Sequence, residues 1–102
     1  MRPLPHPPDA EHDEDSLEML RGWVVDGALQ ISLAAWVWQE EPAQWGRLLA
    51  ETVGHLSDAL SKETSQPRGD IFDEIVRSLK HFLANPQKLE GEFVDPAPEL
   101  HP

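Results

Sequence analysis

The amino-acid sequence predicts an α+β fold: a β-hairpin followed by two amphipathic helices, ββαα in chain order, with the helices packed on one face of the sheet. Two observations predict it. Leu20–Val25 and Ala28–Leu33 are short runs rich in β-branched and large apolar side chains, and they flank Asp26-Gly27, a pair that accepts the positive φ of a tight two-residue turn. Further on, apolar residues recur at three- and four-residue spacing in two successive stretches, the period of a helix with one buried face.

The hairpin is the most specific local signal. A two-residue loop sets Val25 opposite Ala28, and the pairings Val24 with Leu29, Gly22 with Ile31 and Leu20 with Leu33 follow by antiparallel register. One face then carries Leu20, Val24, Leu29, Ile31 and Leu33, and the other carries Arg21, Trp23, Val25, Gln30 and Ser32. A three-residue loop with a bulge at Gly27 would shift this pairing. Beyond Leu33 the alternation can continue, which sets Trp36 and Trp38 on the Trp23 face, or residues 35–38 can form a loop; the loop is the preferred reading.

The first helix is expected to begin at Pro42, whose missing N–H costs nothing there, with Glu40 and Glu41 beside the positive end of its dipole. Its stripe is Trp45, Leu48, Leu49, Thr52, Val53, Leu56 and Leu60. Residues 62–69, with Ser65, Pro67 and Gly69, read as a connection. Asp70 is the expected cap of the second helix, whose stripe is Ile71, Phe72, Ile75, Leu79, Phe82 and Leu83 and which Asn85-Pro86 terminates.

The predicted domain covers residues 16–85 and lies between two acidic, proline-rich tails, residues 1–15 and 86–102. Both tails offer too little apolar surface to offset the entropy of ordering and are expected to be mostly disordered. Leu89, Phe93 and Val94 are the exception, a patch suited to docking on the domain. The formal net charge is −11, and residues 1–15 alone hold five acids against Arg2. Such a balance disfavours phosphate backbones and anionic membrane surfaces, whose binding depends on Lys and Arg. The absence of cysteine excludes disulfides and thiolate chemistry, and with no apolar run of signal or spanning length the expected location is cytoplasmic.

The run Glu18-Met19-Leu20-Arg21-Gly22-Trp23-Val24-Val25-Asp26-Gly27-Ala28-Leu29-Gln30-Ile31-Ser32-Leu33, together with Glu41-Pro42-Ala43-Gln44-Trp45-Gly46 at the helix start, resembles domain-of-unknown-function family 5076. Members are short bacterial proteins with a Leu-Arg-x-x-x-Val-Asp-Gly hairpin and an acidic-Pro-x-x-Trp-Gly helix start. Glu41 stands where the pattern has Asp. The resemblance covers residues 17–85 and implies the fold, but no activity and no catalytic residues.

Candidate sites are few. Four tryptophans and no tyrosine are unusual, and Trp23, Trp36 and Trp38 suggest an aromatic surface for a peptide or an apolar ligand, although packing in a core or a dimer is the simpler use of such residues. Arg21, Gln30 and Ser32 complete that candidate interaction surface. His55 and Asp58 have the spacing of two metal ligands but lack a third, and Ser57 beside them cannot form a triad with neighbours on one helix. The pairs Glu40-Glu41 and Asp73-Glu74 read as helix N-terminal charges, not as an acid/base pair. The acidic tails read as solubilising, with binding of a basic partner as the alternative use. No catalytic, cofactor or metal site is expected. A core of roughly 70 residues without staples supplies only about 3–5 kcal/mol, and an isolated hairpin leaves both edges unpaired. The sequence therefore predicts a homodimer joined edge to edge, a non-enzymatic protein-interaction module. The alternative is a small-molecule binder with an apolar pocket between sheet and helices.

Overall fold

A computed structural model describes residues 3–86 and 92–94 of the chain. In order it has a short helix α1 (Pro8–His12), strands β1 (Leu20–Val25) and β2 (Ala28–Leu33), helices α2 (Ala43–Thr64) and α3 (Arg68–Ala84), and a short strand β3 (Glu92–Val94). The fold is α+β, with an antiparallel hairpin followed by two packed helices. No helix among the described residues is long and apolar enough to cross a membrane.

The chain divides into two compact units, one containing α1 and the three strands, the other starting at Trp38 and containing both long helices. In the first unit, Val25 pairs with Ala28, Val24 with Leu29, Gly22 with Ile31 and Leu20 with Leu33, so the loop has two residues and no bulge. Asp26 at φ 52° and Gly27 at φ 80° both occupy the left-handed region, the twist-matched geometry of a type I′ turn. β3 lies parallel to β2, with Phe93 beside Ile31, giving the sheet order β1-β2-β3. A parallel neighbour needs a long crossover, which α2 and α3 supply. Phe93 and Val94 thus form part of the sheet, while Leu89 lies outside the described residues.

Residues 8–12 of the N-terminal segment form a single helical turn with Pro8 at its start. A helix this short does not persist in water on its own propensity. Ser16 Oγ donates to Ala10 O and Asp13 O at 2.7 and 2.8 Å and folds the chain back after it.

In the second unit the helices differ in detail from expectation. α2 runs to Thr64, and α3 begins at Arg68, so the connection is three residues, not the eight of 62–69, and Asp70 lies inside the first turn of α3 instead of capping it. The cause is local hydrogen bonding. Ser65 turns into the left-handed region at φ 62° and its N–H returns to Ser61 O at 2.9 Å, while Ser61 Oγ donates to Gln66 O at 2.7 Å. Pro67 then starts α3 with its φ of −59° already in place.

The helices meet along small residues. Ser57 is fully buried, with Gly54 and Ser61 half-buried one turn to either side, and Ile71 is the buried residue of α3. Ser57 Oγ is satisfied by Val53 O at 2.8 Å. Leu49 and Leu56 of the expected apolar stripe remain 49% and 45% exposed, because close approach of two helices selects the narrow side of α2, not its most hydrophobic side. Arg68 clasps the pair: its guanidinium bonds the Asp58 carboxylate, lies 3.4 Å from Gly54 O and stacks over the Phe72 ring, 5.7 Å from its centroid.

Candidate functional site

The six residues that the sequence singles out for an interaction surface divide between the two units. Arg21 pairs with Ser32 and Trp23 with Gln30, so these four are cross-strand neighbours on one face of the hairpin. Trp36 follows β2 in a turn spanning residues 35–40, and with Arg21, Ser32, Leu20 and Leu33 it lines a shallow hollow of about 320 Å³. Trp38 belongs to the other unit, where its ring meets Trp45 edge-on at 5.8 Å and 79°. Its φ of 58° is a strained setting for so large a side chain.

Arg21 is anchored from the residues just ahead of its own strand. Its Nη2 donates to Glu18 Oε2 at 2.7 Å and its Nε to Glu18 Oε1, a two-pronged pair. The hydrogen bond, and then the charge of Glu18, raise the Arg21 pKa above its ordinary value, so the guanidinium is a fixed cation on the Trp23 face.

The other candidates resolve into structural roles. Asp58 is held by Arg68, not by His55, which is exposed. Ser57 spends its hydroxyl on the helix backbone. Among the described residues no group of three or more His, Asp and Glu side chains comes together as metal ligands. Glu40 and Glu41 precede α2, and Asp73 and Glu74 lie one turn inside α3.

Two features were not picked out residue by residue from the sequence. One is a groove of about 600 Å³ along the helical hairpin, lined by Leu60, Ile71, Ile75, Leu79 and Phe82 among others. Its signal was present, since these residues belong to the predicted stripes. The other is the free edge of β1. Ala34 N–H donates to Met19 O at 2.9 Å, which fixes the phase of the ladder: Met19, Arg21, Trp23 and Val25 bond to β2, and the backbone groups of Leu20, Gly22 and Val24 point away from it. Since β3 lies on the far side of β2, β1 is one of the two edge strands of the sheet, and its outer side has no partner among the described residues. Val24 on that edge is 76% exposed, and Leu20, Trp23, Val25 and Leu29 are each exposed by more than a third.

These elements define a small α+β protein in which a helical hairpin is inserted, in chain order, between the second and third strands of an open-edged sheet. The chain belongs to domain-of-unknown-function family 5076, whose model matches residues 3–87. It is also similar to a solved structure from the photosynthetic bacterium Rhodopseudomonas palustrus described as a "putative pyruvate dehydrogenase", at 30% identity and a TM-score of 0.65 over 81% of this chain and 94% of that one. No curated protein matches the chain.

Proposed function

We propose that this protein is a cytoplasmic, non-enzymatic interaction module that acts as a homodimer. The observation that carries the reading is the sheet itself: β1 and β2 hold no buried residue, and among the described residues the β1 edge presents unpaired backbone groups beside exposed apolar side chains. Monomeric proteins blunt such edges with Lys, Pro, bulges or a covering element. The reading includes helices packed on one face of the sheet, supported by the exposed leucines of the α2 stripe, which need a cover. Sedimentation equilibrium at tens of micromolar should return twice the chain mass; a compact monomer would remove the proposal.

One observation favours a second reading, a small-molecule binder, with its groove between the two helices and not between sheet and helices as the sequence predicts. The groove between α2 and α3 is apolar and of ligand size, within the roughly 300–1,000 Å³ of small-molecule pockets. A bound apolar ligand would raise the melting temperature by mass action in a thermal-shift screen. The enzymatic description attached to the similar structure is tested by incubating the purified protein with pyruvate together with thiamine diphosphate, coenzyme A as acyl acceptor and NAD+ as electron acceptor, and turnover to acetyl-CoA, CO2 and NADH would replace both readings.

A further inference from the structure

We propose, resting on the dimer reading above, that two copies join through β1 in an antiparallel register centred on Gly22, making one continuous six-stranded sheet. The edge selects this register by its own chemistry. Outward-pointing backbone groups belong to Leu20, Gly22 and Val24, so two copies bond only when these residues face one another. Centring the two-fold axis on Gly22 pairs Gly22 with its equivalent and Leu20 with the second copy's Val24, using all three outward residues of each strand. A shift of one residue either way uses only two.

Side chains make the same choice. Centring on Arg21 would set two guanidinium groups opposite each other, a like-charge pair in a sheet. Centring on Gly22 sets Arg21 against the second copy's Trp23 ring, cation against the negative face of an aromatic. On the opposite face Leu20 meets Val24, the most exposed apolar residue of the strand. Gly22 stands at the axis, where a Cβ would already meet Leu29 at 3.5 Å. The one unfavourable approach is Glu18 level with the second copy's Asp26 just beyond the strand ends, and Glu18 is neutralised by its bidentate bond to Arg21.

The occupant is a second copy because the strand is complementary to itself. Read from Gly22 outward it is Arg and Trp, then Leu and Val, so a two-fold axis matches unlike partners at every step. The edge has no Pro or Lys, and the one charge within β1 stands on the face already tied to Glu18.

The chain contains no cysteine, so introduced thiols report without background. In the double variant Leu20→Cys/Val24→Cys, facing Cα atoms lie about 5.5 Å apart across the interface, inside the bridging range, while equivalent positions of two copies, and the two positions within one chain, are about 13 Å apart. Mild oxidation should therefore convert the double variant to a covalent dimer and leave each single variant uncrosslinked. Efficient crosslinking of a single variant, or none in the double while the unmodified protein sediments as a dimer, overturns the register and leaves the dimer reading standing. A monomeric unmodified protein overturns both. Val24→Lys supplies a check free of thiol chemistry: with its circular dichroism unchanged, its dimer dissociation constant should rise by about 10–100-fold, and an unaltered constant contradicts the proposed interface.

Discussion

The two units of this chain bury their surfaces in different ways. In the helical hairpin, contacts are local in sequence: Gly54, Ser57 and Ser61 form a narrow seam, Ile71 is buried, and Arg68 ties the helices together from the surface through Asp58 and Phe72. In the sheet, every pair of the hairpin is in register, yet no residue of β1 or β2 is buried, and Ala34 just after β2 is the unit's buried apolar residue among those described. Hydrogen bonding alone makes a marginal structure, because each bond replaces one with water and contributes only about 1 kcal/mol net. The helical unit has a packed seam beside exposed apolar residues, and the sheet has a well-specified geometry with little burial among the described residues, which on the proposed dimer reading a second copy completes.

Substitutions can break or sharpen this contrast. The largest effect is expected from Ile71→Ala, which removes most of a buried side chain and should cost about 2–4 kcal/mol in denaturant unfolding. Ser57→Leu forces extra volume into a fully buried position and should cost about 1–3 kcal/mol, which would show that the seam depends on small residues and not on the serine hydroxyl. If Ser57→Ala were equally damaging, the seam argument would fail. In the sheet, Gly27→Ala places a Cβ at φ 80° and should cost about 1 kcal/mol, through backbone strain alone, since nothing lies within 4 Å of that Cβ. Smallest is Arg68→Ala. Its ion pair with Asp58 is half exposed, so after allowance for solvent screening it contributes at most about 0.5–1 kcal/mol, and the loss should shrink further in high salt.

How much of this was legible in the sequence follows the same division. The hairpin register could be read residue by residue, because Asp26-Gly27 dictates a two-residue loop and the loop dictates every pair beyond it. β3 could not. It has three residues, no alternation to detect, and a partner some sixty positions away, so neither periodicity nor turn chemistry marks it. In the helices, hydrophobic periodicity identified both elements but not the contact side. Leu49 and Leu56 dominate the pattern and remain exposed, while Ser57, a polar residue at the centre of the seam, is the most buried side chain described. Helix ends were misplaced by a few residues because Ser61, Thr64 and Ser65 satisfy the terminal backbone themselves, a geometry that composition does not reveal. Of the candidate surface, Arg21, Trp23, Gln30 and Ser32 share one face of the hairpin, a placement that alternation alone gives. Trp38 was not separable from them, since its left-handed backbone and its contact with Trp45 depend on the turn at 35–40.

The central claim is that the sheet is completed by a second chain and the helical hairpin is not. Amide hydrogen exchange measured at several protein concentrations tests it most directly. The account predicts that protection of the Leu20, Gly22 and Val24 amides rises with concentration while that of the α2 and α3 interiors stays constant. Fast exchange at those three amides at every concentration, in a chain otherwise fully protected, would contradict it.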